Sequence, residues 1–147
     1  MKTLKDYAAR FKAVPSRTLR VLVVDDEEPV RKFVERVLRE AGYETRVAAD
    51  GPEALEVAKS GPAVDILVTD LMMPQMNGDE LVRRLRLEEP ALKVLYLTGF
   101  SDRLFKEKST LWQDEAFLEK PCSVKGLLQA VSLLYSGKLE ADPNPNS

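Results

Sequence analysis

The stretch RVLVVDDEEPVR, residues 20–31, runs from an apolar segment through four consecutive acids into a proline. Val21, Leu22, Val23 and Val24 have the unbroken, largely β-branched apolar character of a strand buried on both faces. Proline is tolerated in the first turn of a helix, and after Pro29 the apolar residues Val30, Phe33, Val34, Val37, Leu38 and Ala41 recur at helical spacing until Gly42. A buried strand therefore passes into a helix through Asp25, Asp26, Glu27 and Glu28. Carboxylates crowded at such a junction repel one another unless a positive group sits among them. The stretch that sets the strand-to-helix alternation thus also demands a cation.

The alternation continues outward. YETRVA (43–48) reads as a second strand, and a helix from 52 to 59 ends at the Gly61-Pro62 break. VDILVT (64–69) is a third strand. Asn77 is placed to cap a helix carrying Leu81, Val82 and Leu85 that stops before Pro90. KVLYLT (93–98) and AFLE (116–119) are the last two strands, and Val124, Leu127, Leu128, Val131 and Leu134 stripe a closing helix. Between 99 and 114, Leu104, Phe105, Leu111 and Trp112 offer a helical face interrupted by KEKST. Leu4, Tyr7, Ala8 and Phe11 outline a short amphipathic helix ahead of Pro15, and SGKLEADPNPNS (136–147) has the composition of a disordered tail. The expected organisation is an arm over 1–18, one domain over 19–135 and the tail over 136–147. Apolar strands separated by helices imply an α/β fold, a doubly wound, five-stranded parallel sheet with helices on both faces.

The totals restrict the chemistry. A chain of 147 residues suffices for one domain with a substantial core. With 44% hydrophobic residues, 31% charged residues and a net charge of -2, nothing supplies the basic excess that holds a nucleic-acid backbone. No apolar run approaches the ~20 residues of a membrane span, and the first residues lack the apolar core of a secretory signal, so a cytoplasmic protein is expected. The single cysteine, Cys122, excludes an internal disulfide. The absence of histidine is the sharpest limit, because it removes Ser-His-Asp and Cys-His hydrolysis, histidine-ligated zinc and phosphohistidine donation. Carboxylates, lysine and hydroxyls remain.

Doubly wound sheets bind ligands beyond the C-terminal ends of their strands. The first strand ends in Asp25 and Asp26, the third in Asp70, the fourth in Thr98 and the fifth in Lys120. An aspartate at any one of these places could simply cap the next helix. Three carboxylates, a hydroxyl and a lysine converging on one rim suit Mg²⁺, a hard cation that takes one or two carboxylates and shares its shell with a phosphoryl group. Between the metal and Lys120, the Asp70 carboxyl is expected to be depressed in pKa and presented as a nucleophile that forms an aspartyl phosphate. The Thr98 hydroxyl is expected to donate to a phosphoryl oxygen afterwards.

The segments VVDDEE, DLMMPQMNG, LTG and FLEKP together resemble the receiver domain of two-component response regulators, of the chemotaxis-regulator kind, over roughly residues 19 to 135. That resemblance implies a flavodoxin-like strand order 2-1-3-4-5 and a protein that catalyses only its own phosphorylation and slow dephosphorylation. It assigns Asp25 and Asp26 as Mg²⁺ ligands, Asp70 as phosphoacceptor and metal ligand, and the Met72 carbonyl as a further ligand. It makes Thr98 the switch hydroxyl, Lys120 the phosphoryl contact and Phe117 the switch aromatic, with a cis peptide before Pro121. Phe117 has an equally good reading as a core strand residue. The implied partner is a histidine kinase or histidine phosphotransfer protein, with no direct contact to nucleic acid or membrane and with scope for a phosphorylation-dependent dimer. LTGFSD and FLEKP are also similar to receivers attached to hybrid histidine kinases, whereas 99–114 lacks the Ala/Gly-rich segment usual there.

Two other classes fit less well. An aspartyl-phosphate hydrolase of the haloacid dehalogenase type needs an acid two residues after its nucleophile, where Asp70 has Met72. A pseudo-receiver that only binds proteins has no need of the full acidic set. The residues after 135 are too few for a DNA-binding module, so output is expected through protein contact, relay to another histidine or an effector elsewhere in a longer chain. Met72 and Phe100, two positions after Asp70 and Thr98, are expected to flank the approach of hydrolytic water. Both are apolar, so slow decay of the phosphorylated form is expected.

Overall fold

The structure, a computed structural model, describes residues 17–99 and 114–136. Five strands, β1 (Arg20–Val24), β2 (Glu44–Ala48), β3 (Ile66–Asp70), β4 (Lys93–Thr98) and β5 (Glu115–Glu119), form one parallel sheet in the order β2-β1-β3-β4-β5. Among the described residues the helices are α1 (Glu28–Glu40), α2 (Gly51–Lys59), α3 (Gly78–Glu88) and α4 (Val124–Ser136). The doubly wound α/β architecture and the 2-1-3-4-5 order are those expected. The helix considered within 99–114, the arm helix of Leu4 to Phe11, Phe100 and residues 137–147 lie outside the described residues.

Alternation along the strands builds two cores. Val21, Val23, Ile66, Val68, Leu95 and Leu97 meet Val34, Val37 and Leu38 of α1 and Leu127, Leu128 and Val131 of α4 on one face. Leu22, Val24, Leu67, Val94 and Tyr96 meet Ala54 of α2 and Leu81, Val82 and Leu85 of α3 on the other. The three central strands are almost wholly buried, which is why they read as continuous apolar runs. The edge strand β2 is covered less, and Val47 on it is 41% exposed.

Local details depart from expectation in three places. Phe33, assigned to the buried stripe of the first helix, lies half out of it, because Val34, Val37, Leu38 and Ala41 already fill the face toward the sheet. Asn77 occupies the N-cap of α3 but its side chain makes no capping hydrogen bond. β3 starts at Ile66 and takes in Asp70, which pairs with Leu97 in register, so the acid belongs to the strand. Gly42 closes α1 with a φ of 101°, a conformation open to glycine at little cost.

The topology fixes the site. The chain crosses from β1 to the edge strand β2 and returns to β3 on the other side of β1. Connections therefore diverge above the C-terminal ends of β1 and β3, and that crevice is where such sheets take ligands.

Candidate functional site

Asp25, the first residue past β1, is fully buried, and Asp70 at the end of β3 is nearly so. Together with the exposed Asp26, they offer carboxylate oxygens that all lie within 4.8 Å of one another. Lys120, just beyond β5, reaches across the crevice with its Nζ 2.9 Å from Asp25 Oδ2 and 3.2 Å from Asp70 Oδ2. The Lys120–Pro121 peptide is cis, as the family resemblance implied. The Lys120 backbone N–H donates to the Thr98 carbonyl at 2.8 Å, which ties the lysine to the end of β4. Thr98 is buried at that strand end, and the Met72 N–H donates to Asp70 Oδ1 at 3.2 Å. Phe117 is partly buried and stacks on Tyr96 with ring centroids 5.1 Å apart.

The cation demanded by the acidic run is thus partly in place. Asp25 receives the Glu27 N–H at 2.9 Å as well as the lysine, and Arg31 holds the Asp25 carbonyl at 2.8 Å. Glu28 pairs with Lys32 at 2.6 Å. One lysine nevertheless faces both buried aspartates. Asp25 Oδ2 is close enough to Lys120 for an ion pair but not aligned for a hydrogen bond, so a buried carboxylate oxygen keeps an unsatisfied lone pair. An oxygen-only donor set with such an orphan fits a hard divalent cation such as Mg²⁺, held by Asp25, Asp26 and Asp70.

The electrostatics of the described residues point to a shortage of positive charge at the site. Burial, opposed by Lys120 and reinforced by Asp25, pushes the Asp70 carboxyl up to about 7, where a depressed value was expected. The expectation took the metal as bound. Without it, desolvation outweighs what one shared ammonium returns. Burial also raises Asp25, against the Glu27 N–H and Lys120. Burial alone would lower Lys120, but Asp25 and Asp70 outweigh it and hold the ammonium above the usual lysine range.

Three further residues at the site had no partner or role assigned from the sequence. Glu27 Oε1 lies 3.2 Å from Lys120 Nζ, and Arg31 braces the Asp25 backbone. Gly78, which opens α3, packs so closely that an added Cβ would sit 2.5 Å from the Asp70 carbonyl oxygen and 3.2 Å from Leu71 Cα. Those are backbone atoms and have no side-chain freedom with which to yield. Gly78→Ala is therefore expected to cost about 1–3 kcal/mol in urea unfolding and to displace the Asp70 loop. Gly126→Ala is the milder comparison, because its new Cβ would meet only side-chain atoms, Ser123 Oγ at 3.1 Å and Leu118 Cδ1 at 3.8 Å. Equal stability of the two variants would contradict the packing argument.

The family described as "Response regulator receiver domain" matches residues 21–132. The chain is 39% identical over 112 residues to the sensor kinase CckA of Brucella abortus, covering 76% of this chain and 12% of that kinase. It is 32% identical over 112 residues to the response regulator receiver protein CpdR of the same organism, covering 76% of this chain and 92% of that protein. The structure of Vibrio cholerae chemotaxis protein CheY4 superposes with a TM-score of 0.71 at 32% identity, over 80% of this chain and 99% of that one.

Proposed function

Because the chain belongs to the response regulator receiver family, we propose that Asp70 accepts a phosphoryl group from a phosphohistidine on a partner protein, and that the phosphorylated chain signals through its altered surface. The observation that carries this reading is the meeting of Asp25, Asp26, Asp70 and Lys120 at the crevice between β1 and β3. In it Asp70 is the phosphoacceptor, and Mg²⁺ is held by Asp25, Asp26, Asp70 and the Met72 carbonyl. When bound, Mg²⁺ supplies positive charge to the phosphoryl oxygens during transfer.

The chain's own residues do the rest. Lys120 turns from the aspartates to a phosphoryl oxygen, exchanging one anionic partner for another. The Thr98 hydroxyl donates to a second oxygen, and Phe117 follows Thr98 into the space this leaves. These 147 residues hold no histidine, so the phosphohistidine lies outside them. Similarity to the sensor kinase CckA supports a histidine kinase as donor, and a histidine phosphotransfer protein is the other candidate. The reading places the signalling unit at 19–135, flanked by an arm (1–18) and a tail (136–147), in the cytoplasm. No helix among the described residues is long and apolar enough to cross a membrane. Protein contact, including a phosphorylation-dependent dimer, is the proposed output.

The test is direct. Acetyl phosphate with Mg²⁺ should add the mass of one phosphoryl group to the intact protein, and chelating the metal should prevent the gain. A chain that stays unlabelled at saturating Mg²⁺ refutes the reading.

A further inference from the structure

Glu27 stands at the N-cap of α1, where an acidic side chain ordinarily accepts a hydrogen bond from the first-turn N–H groups. It makes no such bond. The side chain instead lies against Lys120, Oε1 3.2 Å from Nζ, and is 61% exposed at the mouth of the crevice. A single ammonium therefore separates the Glu27 charge from the Asp70 carboxylate. Its neighbour Glu28 has a cation of its own in Lys32. Glu27 shares its only described partner with the two buried aspartates.

From this placement we propose that Glu27 determines donor specificity by charge: it is a fixed anion at the mouth that disfavours small, highly charged phosphodonors. The inference rests on Asp70 being the phosphoacceptor. In the labelling step an Asp70 oxygen bonds to phosphorus while the bond from phosphorus to the donor atom breaks, and the leaving group departs with that electron pair. Acetyl phosphate enters as a dianion and releases acetate. Phosphoramidate enters with one net negative charge, its nitrogen already protonated, and releases ammonia. As Lys120 turns to the phosphoryl oxygens, Glu27 loses its counter-ion while a donor of like charge sits beside it. The penalty scales with the donor's charge and falls with salt, because the carboxylate is open to solvent.

Glu27→Gln removes the charge and keeps the backbone N–H that donates to Asp25, and no capping bond is lost. Labelling rates are to be measured at saturating Mg²⁺ with both donors, at low and at high salt. Mg²⁺ affinity of the unphosphorylated chain is measured by calorimetry, so that a changed metal site is not mistaken for a changed gate. The variant should label roughly three- to tenfold faster than the parent with acetyl phosphate at low salt, less so with phosphoramidate, and the gain should shrink at high salt. Equal or slower rates overturn the inference. So does a gain that is the same for both donors and insensitive to salt, since that would mean only the release of Lys120. Failure of the parent chain to label at all would instead strike the phosphoacceptor reading itself.

Discussion

Asp70→Asn is expected to take up no phosphoryl group from acetyl phosphate with Mg²⁺, and in metal-free buffer at neutral pH to melt several degrees above the parent chain. The first outcome follows from chemistry, because an amide lacks the anionic oxygen that attacks phosphorus. The second follows from the metal-free site, where Lys120 is shared among Asp25, Glu27 and Asp70. Removing one nearly buried carboxylate from that set relieves desolvation and repulsion together, at a gain of about 1–2 kcal/mol. Loss of labelling without any gain in stability would count against this electrostatic account and leave the acceptor assignment intact. Full labelling of the variant would remove Asp70 from its role.

The same group makes the stability of the metal-free chain depend on pH with a definite sign. Asp70 holds its proton in the fold up to about 7, above its ordinary carboxyl value. Across that interval the folded chain retains a proton the unfolded chain has released, so stability falls as pH rises and levels off above neutrality. Asp25 adds a component of the same sign, because its carboxyl is also raised. Melting of the parent in chelator should decline from mildly acidic to neutral pH, and Asp70→Asn should decline less. Mg²⁺ at neutral pH should restore the parent and do little for the variant. A parent curve that rises with pH over this range would reverse the sign and defeat the argument.

Local apolar runs carried the architecture into the sequence. β1 and β4 fall on the expected residues because each is buried on both faces and bounded by polar positions. Phe33 misled because helical spacing marks a stripe, while the sheet decides how wide a stripe it covers. The placement of Asp25, Asp26, Asp70, Thr98 and Lys120 at one rim was legible because strand ends in a doubly wound sheet lie together. The pairing of Glu27 was not, since its partner Lys120 is 93 residues away. Gly78 was equally hidden. Its role is a close approach to another backbone, and close approaches leave no periodic trace. The direction of the Asp70 shift depended on whether burial or one shared lysine prevails, a balance that takes distances to decide.

Met72→Asn is expected to shorten the life of the phosphorylated chain between about tenfold and about a hundredfold. Hydrolysis of an aspartyl phosphate needs a water in line behind phosphorus, opposite the Asp70 oxygen. The Met72 N–H donates to Asp70 Oδ1, so this residue borders the acceptor, and its side chain is 43% exposed at the mouth of the site. A thioether accepts hydrogen bonds only weakly and donates none, so an arriving water is left unoriented. An asparagine amide on the same backbone could both donate and accept, converting an occasional collision into a held geometry. Because the Met72 side chain is exposed, the substitution should cost little stability, and the backbone groups it contributes are unchanged. Labelling to the same stoichiometry would confirm that acceptor and metal site are intact. The decisive measurement is loss of the phosphoryl mass with time after the donor is removed, in Mg²⁺, for parent and variant. Equal decay would mean that the side chain two residues after the acceptor does not control water at this site.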